Sequence, residues 1–316
     1  LLGEAGNVTV LGTTVSNSGG RGFYLRDLAN VSLTSIASQT SGGAGLRLER
    51  TDGARPAMLV TLENATFAGA TGPGIRVFDN DATAAGPVLQ LTIVDGTGNL
   101  ISDSDQGIIF DGADTRLGGN TFNDLAFANI GGGTGDYIRL TNGALFQTGA
   151  PTHLDATRVS FDGVIAGNLD PANNPADIAT LAGLETRLVH YLDDSTLGFI
   201  RLIDNVIVLP TENGLNGIQL AINVSSTVNR DTVYLIAGTY ADPSNLVGGG
   251  IVVDRSIDIV GAQAGTVATG SRDGVTGESV LDFANASSNP SAGFVIQSSG
   301  VLIDGVSMLL DDSATT

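Results

Sequence analysis

Five short apolar strands recur through the first half of this chain, each entered from a glycine or an acidic turn residue. They are Gly22-Phe23-Tyr24-Leu25, Gly45-Leu46-Arg47-Leu48, Gly74-Ile75-Arg76-Val77, Gly107-Ile108-Ile109-Phe110 and Asp136-Tyr137-Ile138-Arg139-Leu140. The four glycines stand 23, 29 and 33 residues apart. Self-similarity at a period of roughly 20–50 residues marks a solenoid, in which a repeat buries its apolar face only by stacking on its neighbours.

The repeats read as strands. Val8-Thr9-Val10, Val31-Ser32-Leu33 and Val60-Thr61-Leu62 alternate apolar and polar residues, and Leu89–Val94 and Thr121–Phe127 continue the series. Period 2 sends the ends of each triplet to one face and its middle residue to the other. Helical repeats need long runs of period 3.6, and this half has none. Leucine-rich repeats need a tighter leucine pattern. A parallel β-helix fits, with one coil per repeat and loops of variable length that let the period drift. The 44 glycines, with many Thr, Ser, Asn and Asp, suit its corners. Phe23, Phe67, Phe110, Phe122, Phe127 and Phe161 fall in strand patterns and are expected inside the stack. Leu25, Leu48, Val77, Phe110 and Leu140 are expected to form one interior column. Phe23, Leu46, Ile75, Ile108 and Ile138 should form a second beside it.

The second half opens differently. Gly217-Ile218-Gln219-Leu220-Ala221-Ile222 reads as a short amphipathic helix, and Asp231-Thr232-Val233-Tyr234-Leu235-Ile236 as a strand. Ala237-Gly238-Thr239-Tyr240 is a turn, and Ser256-Ile257-Asp258-Ile259-Val260-Gly261 closes another strand pair. Across about 213–316 these elements resemble, in order, the opening of right-handed parallel β-helix proteins of the pectin-lyase-like class. There a cap helix is followed by the first coils. The resemblance implies that fold, and an extracellular or cell-surface location of the large bacterial adhesin and filament type. It says little about activity.

The expected architecture is therefore all-β: a right-handed parallel β-helix (β-solenoid) in two parts. Residues 1–165 are read as later coils of one β-helix and 213–316 as the cap helix and first coils of a second. A connector lies at 166–212, with a helix over about 175–193 and a β-hairpin over about 197–209. Asn174-Pro175 starts the helix, and Ile178, Leu181, Leu184, Leu188 and Leu192 supply its apolar stripe. A cap placed after several coils leads to the expectation of a repeat unit. Copies of it would stack head to tail, with Val301–Leu310 of one on Val8–Val15 of the next.

Net charge is −19, and all 14 cationic residues are arginine. An acidic chain lacks the basic footprint of nucleic-acid binding and is repelled by anionic membrane surfaces. No apolar run has the length of a membrane span. Without lysine there is no lysine-based cross-link or catalysis, and without cysteine no disulfide or thiolate site.

Acidic corners are the candidate metal ligands. Asp79-Asn80-Asp81, Asp103-Ser104-Asp105 and Asp111-Gly112-Ala113-Asp114 space oxygen donors as calcium requires, giving Asp79, Asp81, Asp103, Asp105, Asp111 and Asp114 as candidates. Solvated turn residues are the alternative reading. Many proteins of the resembled class cut polysaccharides, and the resemblance implies Asp-Asp and Gly-His-Gly catalytic patterns. Asp-Asp occurs only at Asp193-Asp194 and Asp311-Asp312, Gly-His-Gly is missing, and His153 and His190 have no partner motif and are placed on a surface or helix face. No enzyme is expected. The leading expectation is a structural extracellular solenoid that associates with copies of itself. The alternative is a polysaccharide-active or carbohydrate-binding β-helix with surface polysaccharide as partner.

Overall fold

The computed structural model describes residues 6–51, 57–80, 88–94, 98–113, 115–117, 125–144, 153–226, 230–241, 250–265, 277–283 and 293–309. Contacts group the chain into two compact units: Leu1–Leu169 with Arg187–Leu202 (unit 1), and Asp170–Thr186 with Ile203–Thr316 (unit 2).

Among the described residues, unit 1 deals most of its strands in rotation to three sheets, and His153–Asp155 with Phe199–Arg201 forms a fourth, two-stranded one. Val8–Leu11, Asn30–Thr34, Met58–Glu63, Leu89–Ile93 and Thr115–Leu117 form the first. The second holds Thr14–Ser18, Ala37–Ser41, Thr66–Ala68, Asn99–Ser102, Leu125–Ala128 and Ser160–Phe161, and ends in antiparallel Val164–Ile165. The third holds Phe23–Arg26, Leu46–Arg50, Pro73–Asp79, Gln106–Asp111, Ile138–Thr141 and Leu188–Val189. Every other neighbouring pair is parallel, so each rung adds one strand to each sheet. Stacked parallel sheets of this order are consistent with a parallel β-helix.

The two expected columns are present in register. Phe23, Leu46, Ile75, Ile108 and Ile138 are successive partners, as are Leu25, Leu48, Val77, Phe110 and Leu140. Leu46, Ile75, Ile108 and Ile138 are all 0% exposed. In the second sheet Phe67, Ile101, Phe127 and Phe161 make a further column, with the Phe127 and Phe161 rings stacked at 5.7 Å. Of the phenylalanines expected inside, Phe122 lies outside the described residues.

The leading glycines serve close approach. A Cβ on Gly107 would lie 2.2 Å from the Tyr137 carbonyl oxygen, and one on Gly22 would lie 2.5 Å from that of Gly45. The rungs touch there, and any side chain would push them apart. The corners use a different device. Between the first and second sheets the chain turns through left-handed Gly12, Ser35, Asn64 and Gly98 (φ 59°, 53°, 49° and 66°). The first three of these corners are two residues long. The third-to-first corners, after Arg26, Arg50, Asp79 and Asp111, run to 3, 7, 9 and 3 residues.

Among the described residues, both α-helices belong to unit 2. Helix α1, Pro175–Glu185, begins as expected: the Asn174 side chain accepts from Ala176 N at 3.2 Å, and proline opens the first turn. It ends at Glu185 and does not reach 193. Thr186 Oγ1 donates to the Gly183 carbonyl, and Leu188–Val189 then joins the third sheet of unit 1 beside Ile138–Arg139. Leu188 and Leu192 are buried there, so their helical spacing had another use. The expected hairpin is also replaced. Phe199–Arg201 pairs in parallel with His153–Asp155, and Val206–Leu209 pairs in parallel with Thr232–Leu235. What remains of the hairpin among the described residues is the isolated antiparallel bridge Ile203–Val206. Both runs are apolar enough to extend separate sheets, and that burial outweighs a local pairing.

Helix α2, Gly214–Val224, buries Leu215, Ile218, Ala221 and Ile222. Beside it Val206–Leu209, Thr232–Leu235, Asp258–Val260 and Leu302–Asp304 form a parallel sheet. Gly238–Ala241, Ser279–Asp282 and Val306–Leu309 form a second, and Ile251–Val253 with Phe294–Ile296 a third. The strands again rotate through three sheets.

Candidate functional site

The acidic corners were the leading candidates, and the structure separates them. Asp79 is fully buried: its Oδ2 accepts from Arg50 Nε at 2.8 Å and Nη2 at 2.7 Å, both side chains being 0% exposed. Asp111 accepts from Arg76 Nη2 at 2.5 Å on one oxygen and from Asn142 Nδ2 at 2.7 Å on the other. A cation entering either site would have to displace an arginine already there. Asp103 holds a left-handed corner (φ 49°) and accepts from Asn129 Nδ2 at 2.8 Å. Asp105 is exposed, and its N–H donates to the Ala70 carbonyl. Asp81 and Asp114 lie outside the described residues. Among the described residues no three acidic or histidine side chains are grouped to hold a metal.

Two clusters escaped the sequence reading. The Arg50–Asp79 pair had a usable signal: the two are 29 residues apart, the local repeat step from Gly45 to Gly74, and they are direct strand partners. The second cluster surrounds Arg187. Its guanidinium lies 3.6 Å from the centre of the Tyr137 ring. Nε donates to the Gly135 carbonyl at 2.8 Å, Nη2 to that of Ile130 at 2.9 Å, and Nη1 to Asp162 at 3.0 Å and to the Tyr137 hydroxyl. Tyr137 donates to Asp162 at 2.5 Å, and Asn129 N does so at 2.6 Å. Burial raises the Tyr137 hydroxyl pKa, and its bond to Asp162 raises it further. Burial would also raise Asp162, but the bonds from Tyr137, Asn129 and Arg187 outweigh it and hold that carboxyl below its usual range.

The histidines part company. His153 is exposed, as expected. His190 is 0% exposed, which corrects its placement on a surface or helix face. Its Nδ1 accepts from Ile200 N at 2.9 Å and its ring stacks on Phe199, so it packs the end of unit 1.

Among the described residues, two concave surfaces stand out. In unit 1 a polar groove of about 410 Å³ follows the outer face of the first sheet, where Thr9, Ser32, Thr61 and Thr92 align beside Asn30 and Gln90. Successive strands stack these hydroxyls at roughly 4.8 Å. In unit 2 a cavity of about 470 Å³ lies between α1 and the neighbouring sheet, walled by Pro175, Ile178, Ala179, Tyr234 and Val260. Burial, then Asp170 and Asp258, raise the Tyr234 hydroxyl pKa.

The fold and its sites define an all-β-dominated protein of stacked parallel sheets. The chain matches no protein-family model, no curated protein and no solved structure.

Proposed function

We propose that the chain is a structural module, a right-handed parallel β-helix of the pectin-lyase-like type. It would serve as the repeat unit of an extracellular, cell-surface filament, sheath or giant adhesin and associate with copies of itself. The observation that carries this reading is the direction of the polar side-chain bonds. Arg50 with Asp79, Arg76 with Asp111, Asn142 with Asp111, Asn129 with Asp103 and Asn64 with Ser35 each tie one rung to the next. These acidic, basic and amide groups are used along the stack, as a structural rod requires.

A second reading is a carbohydrate-binding or polysaccharide-active β-helix, favoured by the uncharged hydroxyl and amide groove on the first sheet. Two measurements separate them. Electron microscopy of the native material should show rods or sheaths. Purified protein incubated with uronans, with and without calcium, should release no reducing or unsaturated ends. Turnover that is lost in Asp103→Asn would transfer the assignment to the second reading.

A further inference from the structure

The dipeptide Asn-Gly occurs three times in the chain, at Asn142-Gly143, Asn213-Gly214 and Asn216-Gly217. In this pairing a main-chain nitrogen can turn on the preceding side chain, because glycine has no Cβ to obstruct the approach. The structure treats the three copies differently. Gly214 is buried and its N–H donates to the Thr211 carbonyl. Asn216 and Gly217 lie inside α2, where Gly217 is buried and the helix holds the backbone. Asn142 is exposed instead, in a tight turn that follows Ile138–Thr141. Both Asn142 and Gly143 are left-handed (φ 54° and 73°), as a type I′ turn requires. A bond from Ala144 N to the Thr141 carbonyl, 3.2 Å long, closes the turn. Among the described residues nothing accepts from the Gly143 N–H.

We propose that Asn142 is a self-modification site, at which the Gly143 nitrogen converts the side-chain amide to a carboxylate. That nitrogen attacks Asn142 Cγ. The N–Cγ bond forms as the Cγ–Nδ2 bond breaks, and the N–H proton leaves with Nδ2 as ammonia. Water then opens the five-membered imide. Cleavage at Cγ restores the main chain and leaves aspartate. Cleavage at the Asn142 main-chain carbonyl leaves isoaspartate, with the chain routed through Cβ. The sum is asparagine plus water giving a carboxylic acid plus ammonia, with no change of oxidation state.

The position gives this chemistry a consequence. Asn142 Nδ2 donates to Asp111 Oδ1 at 2.7 Å and ties its strand to Gln106–Asp111, the rung before. Asp111 is 6% exposed, and its other oxygen is already taken by Arg76. After conversion a second carboxylate faces Asp111 where a donor stood. A tie between two rungs becomes a like-charge contact. Slow chemistry at one turn loosens one defined place in the stack of unit 1.

The unsubstituted chain tests this directly. It is held folded at mildly alkaline pH for weeks, then digested, and each asparagine is read by peptide mass spectrometry. Asn142 is expected to show the amide-to-acid mass gain several-fold faster than Asn213 and Asn216, with isoaspartate among the products. In denaturant the three should convert at similar rates. Equal rates in the folded chain, or a lead for Asn142 that persists unchanged in denaturant, would overturn the proposal. Asn142→Asp reads the consequence. Aspartate tolerates a left-handed turn as asparagine does, so the variant reports the charge. It should melt about 2–4 °C below wild type. Melting equal to wild type would overturn the claimed loosening of the rungs.

Discussion

Unit 1 fastens its late rungs with a guanidinium, whereas unit 2 covers a strand edge with a carboxamide. Arg187 has donors only, so it serves the Ile130 and Gly135 carbonyls and needs Asp162 to balance its charge. Gln219, on α2, has one acceptor and one donor group. Its Oε1 accepts from Val252 N at 2.8 Å and its Nε2 donates to Val252 O at 3.1 Å, as another strand would. A charged clasp draws several segments together and answers to acid and salt. A neutral amide copies the backbone and answers to neither.

The largest effect should come from charge deeper in unit 1. Asp79→Ala leaves Arg50 buried without its carboxylate and is expected to cost about 3–5 kcal/mol in denaturant unfolding. Arg187→Met is next, at about 3 kcal/mol, since several charge-assisted bonds are lost. Peptide-resolved hydrogen exchange should show faster exchange around Ile130–Thr141. Acceleration confined to α2 would break the contrast. Gln219→Leu should cost only about 1 kcal/mol, because water can reach a half-buried Val252.

The smallest effect is the pH dependence of the clasp. The Asp162 pKa is lowered by folding, so its stabilisation is full above the ordinary value of 3.8 and fades as pH falls through the lowered one. Wild type should therefore melt above Asp162→Asn at neutral pH, and the gap should narrow only in strong acid. A gap that closes between pH 7 and 5 would show that another group controls it. Gln219→Leu should show no such trend.

The columns of the third sheet were legible because period 2 and a recurring glycine report the same geometry, inward side chains and touching rungs. What the glycines do was less plain, since a turn and a close approach look alike in sequence. Leu188 and Leu192 misled for a related reason: spacings of three and four fit a helix, but they also fit a short strand followed by a buried turn. Apolar Phe199–Arg201 and Val206–Leu209 carried no mark of their partners, which lie far away in sequence. The acidic corners were visible as acids, yet Asp79 and Asp111 could be assigned to arginines only once the register was known.

The uneven third-to-first corners have a further consequence. They run from 3 to 9 residues, while the first three first-to-second corners hold at two. Over the first three rungs, insertions in a chain of this plan are channelled to one seam. The ladder is untouched by such a difference in length, because the strands that follow each corner keep their parallel register with the rung before.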